Sequence, residues 1–190
     1  MNIFVLHEDP CLAAKDQCDR HVVKMVTESA QILSSVRHRY GAPAPYRPTH
    51  ANHPCVLWAG NCAENYAWLV THMAQLLAEY TERYGKTHAV QAHLETLREP
   101  PAAMPRCGER QPFTQCMPEH YRLEGDPVTA YRHFYMGEKS GFAKWKLGNV
   151  PSWYRPDTFV AASPPPPPEK PKAPRARKPK VGYIGRAKLD

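Results

Sequence analysis

Residues 9–41 read DPCLAAKDQCDRHVVKMVTESAQILSSVRHRYG, and the periodicity of this stretch decides the fold. Asp9-Pro10 is an N-cap signal followed by proline at the first helical position, where its missing N–H has no partner to lose. Helical spacing then runs to about Tyr40, and Gly41 is a natural stop. Val22, Val26, Leu33 and Val36 share one face and predict packing. His21, Lys24, Glu28, Gln31, Ser35 and His38 fall at spacings of three and four on another face. A solvated face is usually Lys, Glu and Arg in mixed order. A carboxylate held between a cation, imidazoles and an amide reads instead as the wall of a site, which points to an enzyme.

The same grammar continues outward. Asn61 with Glu64 resembles a capping box; a helix follows to Tyr84 and closes at Gly85, with a core face of Tyr66, Leu69, Val70, Met73, Leu77 and Tyr80. A shorter helix is predicted over His88–Arg98. Residues 100–125 hold Pro100, Pro101, Pro105, Pro112 and Pro118 and read as loop. Asp126-Pro127 repeats the first cap signal and opens a helix through about Lys139, after which the chain runs irregularly past Trp145 and Trp153. Ile3 to Leu6 form a short extended arm. No alternating pattern is long enough to build a sheet. The expectation is an all-α fold: a helical bundle of residues 1–160 followed by a tail, 161–190.

That tail begins with five consecutive prolines, Pro164–Pro168, which favour polyproline II. Residues 164–190 carry eight Lys and Arg against Glu169 and Asp190, a net +6 out of the formal +7 of the whole chain. The bundle is therefore nearly neutral and the basicity is an appendage. Its composition predicts disorder in isolation, and its clustered cations suit a tether that gains affinity by releasing counterions from phosphates.

The six cysteines (Cys11, Cys18, Cys55, Cys62, Cys107 and Cys116) form no CxxC pair. No secretory signal precedes them and no run approaches the roughly 18 apolar residues of a membrane span. Free thiols in reducing cytoplasm are expected, the host's if the chain is phage-encoded. A zinc site from His53, Cys55, Cys62 and His72 fits no standard spacing, so no metal or other cofactor is expected.

Glu28 is the foremost catalytic candidate, as a general base. Lys24, one turn earlier, can hold it ionised, and His21 flanks the pair. For substrate and DNA contacts the candidates are more dispersed. Gln31 continues the stripe. The loop carrying His50, Asn52 and His53 precedes a helix start and suits an anion, though a capping loop with Asn52 as cap explains it equally. Asn65 and Trp68 share a face with His72; Trp68 can stack a base or simply fill the core. Arg132, Tyr135 and Lys139 share a face of the later helix and suit a phosphate backbone. No phosphate-binding GxxxxGK[ST], no GxGxxG and no HxE…PCxxC signature is present.

Asp19-Arg20-His21, with Glu28 seven residues after the histidine, resembles the phage pyrimidine dimer DNA glycosylases of the endonuclease V type. In that family a D-x-H element is followed by a glutamate at this distance on the first helix. Asn65–Gly85 resembles the family's long middle helix, and Pro151-Ser152-Trp153-Tyr154 its closing proline-x-tryptophan-tyrosine. The resemblance covers roughly residues 9–155, with long insertions. Cys18–Met25 together with Asn52-His53-Pro54-Cys55 is similar to small phage proteins labelled as such glycosylases.

The resemblance implies an all-helical domain that binds double-stranded DNA and flips a nucleotide from the duplex, with Glu28 as its carboxylate and His21 in the site. The family's nucleophile is the amine of a small residue at position two, exposed by removal of methionine. Here Asn2 is bulky for that removal, so Met1 is expected to stay and to put the amine out of register. A frame that keeps the carboxylate without that nucleophile is similar to phage thymidine-hypermodifying enzymes, which act in protection from host restriction. The first expectation is thus a transferase that displaces phosphate from 5-phosphomethyl-deoxyuridine in DNA with a free amino acid. Glu28 would deprotonate the amine, and His21, Lys24 and His53 would stabilise the phosphate. The alternatives are a pyrimidine-dimer glycosylase and lyase in DNA repair, and a DNA-binding protein without catalysis.

Overall fold

A computed structural model describes residues 1–160. Among these residues there are helices and turns and no strand: α1 (Pro10–Lys15), α2 (Asp19–Arg39), α3 (Pro54–Ala59), α4 (Ala63–Tyr84), α5 (Leu94–Arg98) and α6 (Pro127–Glu138). The expected all-α fold is what the described residues adopt. The expected tail, 161–190, lies outside the described residues.

The two long helices organise the core. α2 packs on α4; α1 packs on α4 and α3 on α2. Val22, Val26, Leu33 and Val36 of α2 are fully buried, as are Tyr66, Leu69 and Met73 of α4. The arm Ile3–Leu6 is buried along its whole length, inside the bundle rather than on it.

The cap signals hold at both Asp-Pro pairs. The Asp9 carboxylate accepts from Leu12 N at 2.9 Å, and the Asp126 carboxylate accepts from Thr129 N at 3.0 Å. Gly85 takes φ +64, the left-handed stop that only glycine adopts cheaply. The proposed box at Asn61 does not form. Cys62 is the N-cap of α4, and Glu64 accepts instead from Cys107 N at 2.9 Å and Gly108 N at 3.3 Å, pinning the following loop. His88–Arg98 splits into a 3-10 turn, Ala89–His93, and α5.

The stretch read as one helix from Pro10 to Tyr40 is broken at Asp16–Cys18. The cause is a buried arginine. Arg83 of α4 donates to the carbonyls of Lys15 at 3.0 Å and Gln17 at 2.8 Å, and to the Asp19 carboxylate at 3.1 Å. Those carbonyls are turned to the guanidinium instead of to a following helical N–H. Glu79 completes the charge balance, 2.8 Å from Arg83 and itself buried. Gln17 points inward and donates to Ile3 O at 3.0 Å, so the break also fastens the N-terminal arm. The C-terminal stretch closes over the same point: the indole N–H of Trp145 donates to Asp16 O, and that of Trp153 to the Asp16 carboxylate at 2.7 Å. Among the described residues no helix is long and apolar enough to cross a membrane.

Candidate functional site

The break at residues 16–18 starts α2 at Asp19, which sets Arg20, His21, Lys24 and Glu28 on its first turns. These four residues line a cleft of about 400 Å3 together with Met1, Asn2, Phe4, Phe134, Lys139 and Phe142. The helix supplies the polar wall, the N-terminal arm the floor, and α6 with the chain after it the far side.

Glu28 is largely shielded, with its side chain 12% exposed. Its Oε2 accepts from the backbone N–H of Asn2 at 2.8 Å and lies 3.8 Å from the Met1 amine. Its Oε1 lies 3.0 Å from Lys24 Nζ. A carboxylate so placed meets two amine nitrogens and one amide at the mouth of the cleft. The amine of a retained Met1 was expected out of register; it is one residue beyond the Asn2 nitrogen, yet still faces Glu28.

His21 is buried and fixed. Its Nδ1 is 2.7 Å from the Tyr135 hydroxyl, which also accepts from Cys18 N at 2.9 Å. A Tyr135 hydroxyl proton given to Nδ1 would put the imidazole proton on Nε2. The ring stacks on Phe4 at 4.3 Å between centroids and meets Phe142 edge-on. Burial, with Lys139, Lys24 and Arg20 close by, pushes the imidazole down to about 3. His21 is therefore a neutral group at pH 7 and not a cation.

The cleft floor is bent. Asn2 Oδ1 accepts from Ile3 N at 2.8 Å and Phe4 N at 3.2 Å, while Asn2 Nδ2 donates to Cys116 O at 2.7 Å. The turn leaves Phe4 at φ +55, a conformation that costs an L-residue about 1–2 kcal/mol. Its packing against His21, Phe134, Tyr131 and Tyr135 compensates. On the rim, Arg20 lies over Phe142 at 4.7 Å and Lys139 Nζ over Phe134 at 4.3 Å. Three cations, Arg20, Lys24 and Lys139, thus surround a neutral aromatic pocket with a carboxylate at one side, an arrangement suited to a planar base carried on a phosphodiester.

The predicted residues divide. His21, Lys24, Glu28 and Lys139 come together in the cleft, with Tyr135 behind His21. Gln31 is not among the cleft-lining residues, and Ser35 and His38 bond the loop after α2 through Thr49 and Tyr46. Arg132 donates to Leu6 O at 2.9 Å and lies over Trp153, bracing the arm. His50 is exposed and bonds Thr49 Oγ1. Asn52 is exposed; the cap of α3 is His53, which accepts from Cys55 N at 3.2 Å. Asn65 is buried with both ends of its amide used, donating to Trp58 O and accepting from Gln111 N, each at 2.8 Å. Trp68 is buried, stacks on His72 and donates to Glu8 O. Both therefore serve the core. Sequence reasoning missed Arg20, Phe4 and Phe142. Arg20 sat within the quoted D-R-H element, whereas the two phenylalanines carried no local signal.

Residues 1–92 match the family described as pyrimidine dimer DNA glycosylase. This glycosylase-like segment contains the N-terminal arm, α2, and α3 and α4, so the resemblance drawn from Asp19-Arg20-His21 and Glu28 is supported where the site's polar wall lies. It stops short of α6; Tyr135, Lys139 and Phe142 fall beyond it. No curated protein and no solved structure matches the chain.

Proposed function

We propose that this chain is a DNA-acting enzyme of the glycosylase kind, taking a pyrimidine nucleotide from the duplex into the Glu28 cleft. The observation that carries this reading is a shielded carboxylate with amine nitrogens at 3.0 and 3.8 Å beneath a cationic rim; the family match over residues 1–92 supports it. Carboxylate plus amine is the equipment of imine-forming cleavage. The amine of Met1 or Lys24 attacks C1′ of the flipped nucleotide as the C1′–N1 bond breaks, and the base leaves with the electron pair. Glu28 takes the proton lost by the attacking nitrogen and passes it to O4′ as the C1′–O4′ bond breaks, which leaves the ring-opened deoxyribose joined to the protein as a protonated imine. His21, neutral and held by Tyr135, offers its Nε2–H to the departing base. Arg20 and Lys139 hold the flanking phosphates, joined by Lys24 where the Met1 amine is the nucleophile.

The same three cations favour a second reading. A 5-phosphomethyl pyrimidine in this cleft would place its phosphate among them, and Glu28 would deprotonate the amine of a free amino acid. That amine then attacks the 5-methylene carbon, forming C–N as C–O breaks and phosphate departs.

One tube separates the readings by intact-mass spectrometry of the DNA. It holds the full chain, a duplex with phosphorylated 5-hydroxymethyluracil, a second duplex with a thymine dimer, and mixed amino acids, with borohydride added to an aliquot. Base loss or scission on the dimer duplex, with a trapped protein–DNA adduct, is the expected result. A gain of an amino acid minus phosphate on the first duplex replaces it with the transferase. Binding with both masses unchanged refutes both and leaves a non-enzymatic DNA binder. Glu28→Gln should abolish product while DNA binding persists.

A further inference from the structure

Beside the cleft, on the other side of Asn2, one ring nitrogen of His53 and the thiols of Cys55 and Cys116 lie within 4.8 Å of one another. We propose that these three residues form a metal site for a thiophilic divalent cation, Zn2+ by its ligand chemistry, with the fourth position left to water. Two thiolates and an imidazole are a zinc donor set. Tetrahedral bonds of the usual zinc lengths place two sulfurs about 3.8 Å apart; the Cys55 and Cys116 sulfurs stand 3.4 Å apart. A disulfide would need about 2 Å, and both cysteines are free.

The site is built rather than incidental. His53 and Cys55 are fixed at the start of α3. Cys116, on the irregular segment between α5 and α6, has both backbone polar groups tied: its N–H donates to the Tyr131 hydroxyl at 3.1 Å and its carbonyl accepts from Asn2 Nδ2 at 2.7 Å. Tyr131 in turn donates to Thr114 O at 3.1 Å. A cation there fastens that segment to α3 and, through Asn2, steadies the backbone N–H that Glu28 accepts. The sequence had paired His53 and Cys55 with Cys62 and His72, with no metal expected. His72 instead bonds Gln17 in the core, and the third ligand comes from a cysteine 61 residues away from Cys55. A second grouping, Cys62, Glu64 and Cys107, is weaker: Cys107 is exposed and Glu64 already spends both oxygens on backbone N–H groups.

The test is titration of the reduced, chelator-treated full chain with Co2+ followed by Zn2+, read by absorption and by metal analysis after gel filtration. One equivalent of Co2+ should give the thiolate-to-cobalt charge-transfer band and tetrahedral visible bands, bleached by one equivalent of Zn2+. Cys116→Ser and His53→Gln should each lose stoichiometric binding, and Cys107→Ser should keep it. The two variants guard against one failing to fold, which circular dichroism reports. Absence of stoichiometric metal in the folded parent overturns the site. So does retention in folded Cys116→Ser and His53→Gln, or loss confined to Cys107→Ser.

Discussion

Acidification from pH 7 to pH 5 should destabilise this fold chiefly through two imidazoles. His21 and His72 are both held down to about 3, His72 by complete burial and His21 by burial and the neighbouring cations. In the unfolded chain each returns to about 6.5. There an imidazole is about one-quarter protonated at pH 7 and almost fully protonated at pH 5, while in the folded chain both stay neutral. The unfolded state therefore binds more protons throughout this window, and stability falls as pH falls. Integration gives about 2 kcal/mol per imidazole, about 4 kcal/mol for the pair. That is a large part of the 5–15 kcal/mol typical of a domain. The effect is fully relieved above about pH 7.5 and grows until the pH approaches 3. Denaturant unfolding at pH 7, 6 and 5, followed by circular dichroism, measures it. His72→Gln removes one titrating group and should roughly halve the slope. A free energy of unfolding that is flat or rises between pH 7 and 5 would refute neutral burial of both rings. The functional counterpart is that His21 does not titrate in the site between pH 5 and 8, so the turnover of folded enzyme should show no ionisation of His21 there.

Three further outcomes follow from the contacts. Tyr135→Phe leaves His21 Nδ1 and Cys18 N without their partner; about 1–3 kcal/mol of stability should be lost for each orphaned buried group, measured by the same denaturation, and turnover should fall more than DNA affinity. Arg83→Met strips the buried Glu79 of its counter-charge and releases the Lys15 and Gln17 carbonyls; a loss of about 3–5 kcal/mol is expected, and a change below 1 kcal/mol would show that the helix break holds without it. Deleting residues 161–190 removes most of the formal charge, so the salt dependence of duplex binding should become shallower; an unchanged slope would place the tail off the DNA.

Helix starts and stops were legible because they are local. Asp9-Pro10, Asp126-Pro127 and Gly85 each satisfy or end a helix within four residues, and the structure keeps all three. The break at Asp16–Cys18 was not legible, since no proline or glycine marks it. Its cause is Arg83, more than sixty residues on, buried with its own carboxylate. The polar stripe was half legible for the same reason. Register put His21, Lys24 and Glu28 on one face, but only the closure of α6 and the arm decided which end of that face becomes a cleft. Ser35 and His38, on the same stripe, merely hold the loop after α2. Asn65 and Trp68 had spacing as good as that of Lys24 and Glu28, yet α4 is central and α2 has a free edge at its first turns. Spacing reports a face; neighbours decide whether that face is wet.

Asn2 shows how far a local reading can differ from a tertiary one. Taken alone, it is a poor substitute for a small residue with a freed amine. In the fold it makes four hydrogen bonds: its own N–H to Glu28, Oδ1 from Ile3 and Phe4, and Nδ2 to Cys116. Alanine or glycine keeps only the first of these. Serine or threonine offers one oxygen and cannot both accept at the turn and reach Cys116 as an amide does. The residue at position two therefore bends the arm so that Phe4 lies under His21, and ties the arm to the segment that carries Cys116. Replacing it to restore a small residue would free a nitrogen at Glu28 and loosen the floor of the cleft. An Asn2→Ala chain should thus lose order in the arm, read by hydrogen exchange at Ile3 and Phe4, even if its first methionine is removed.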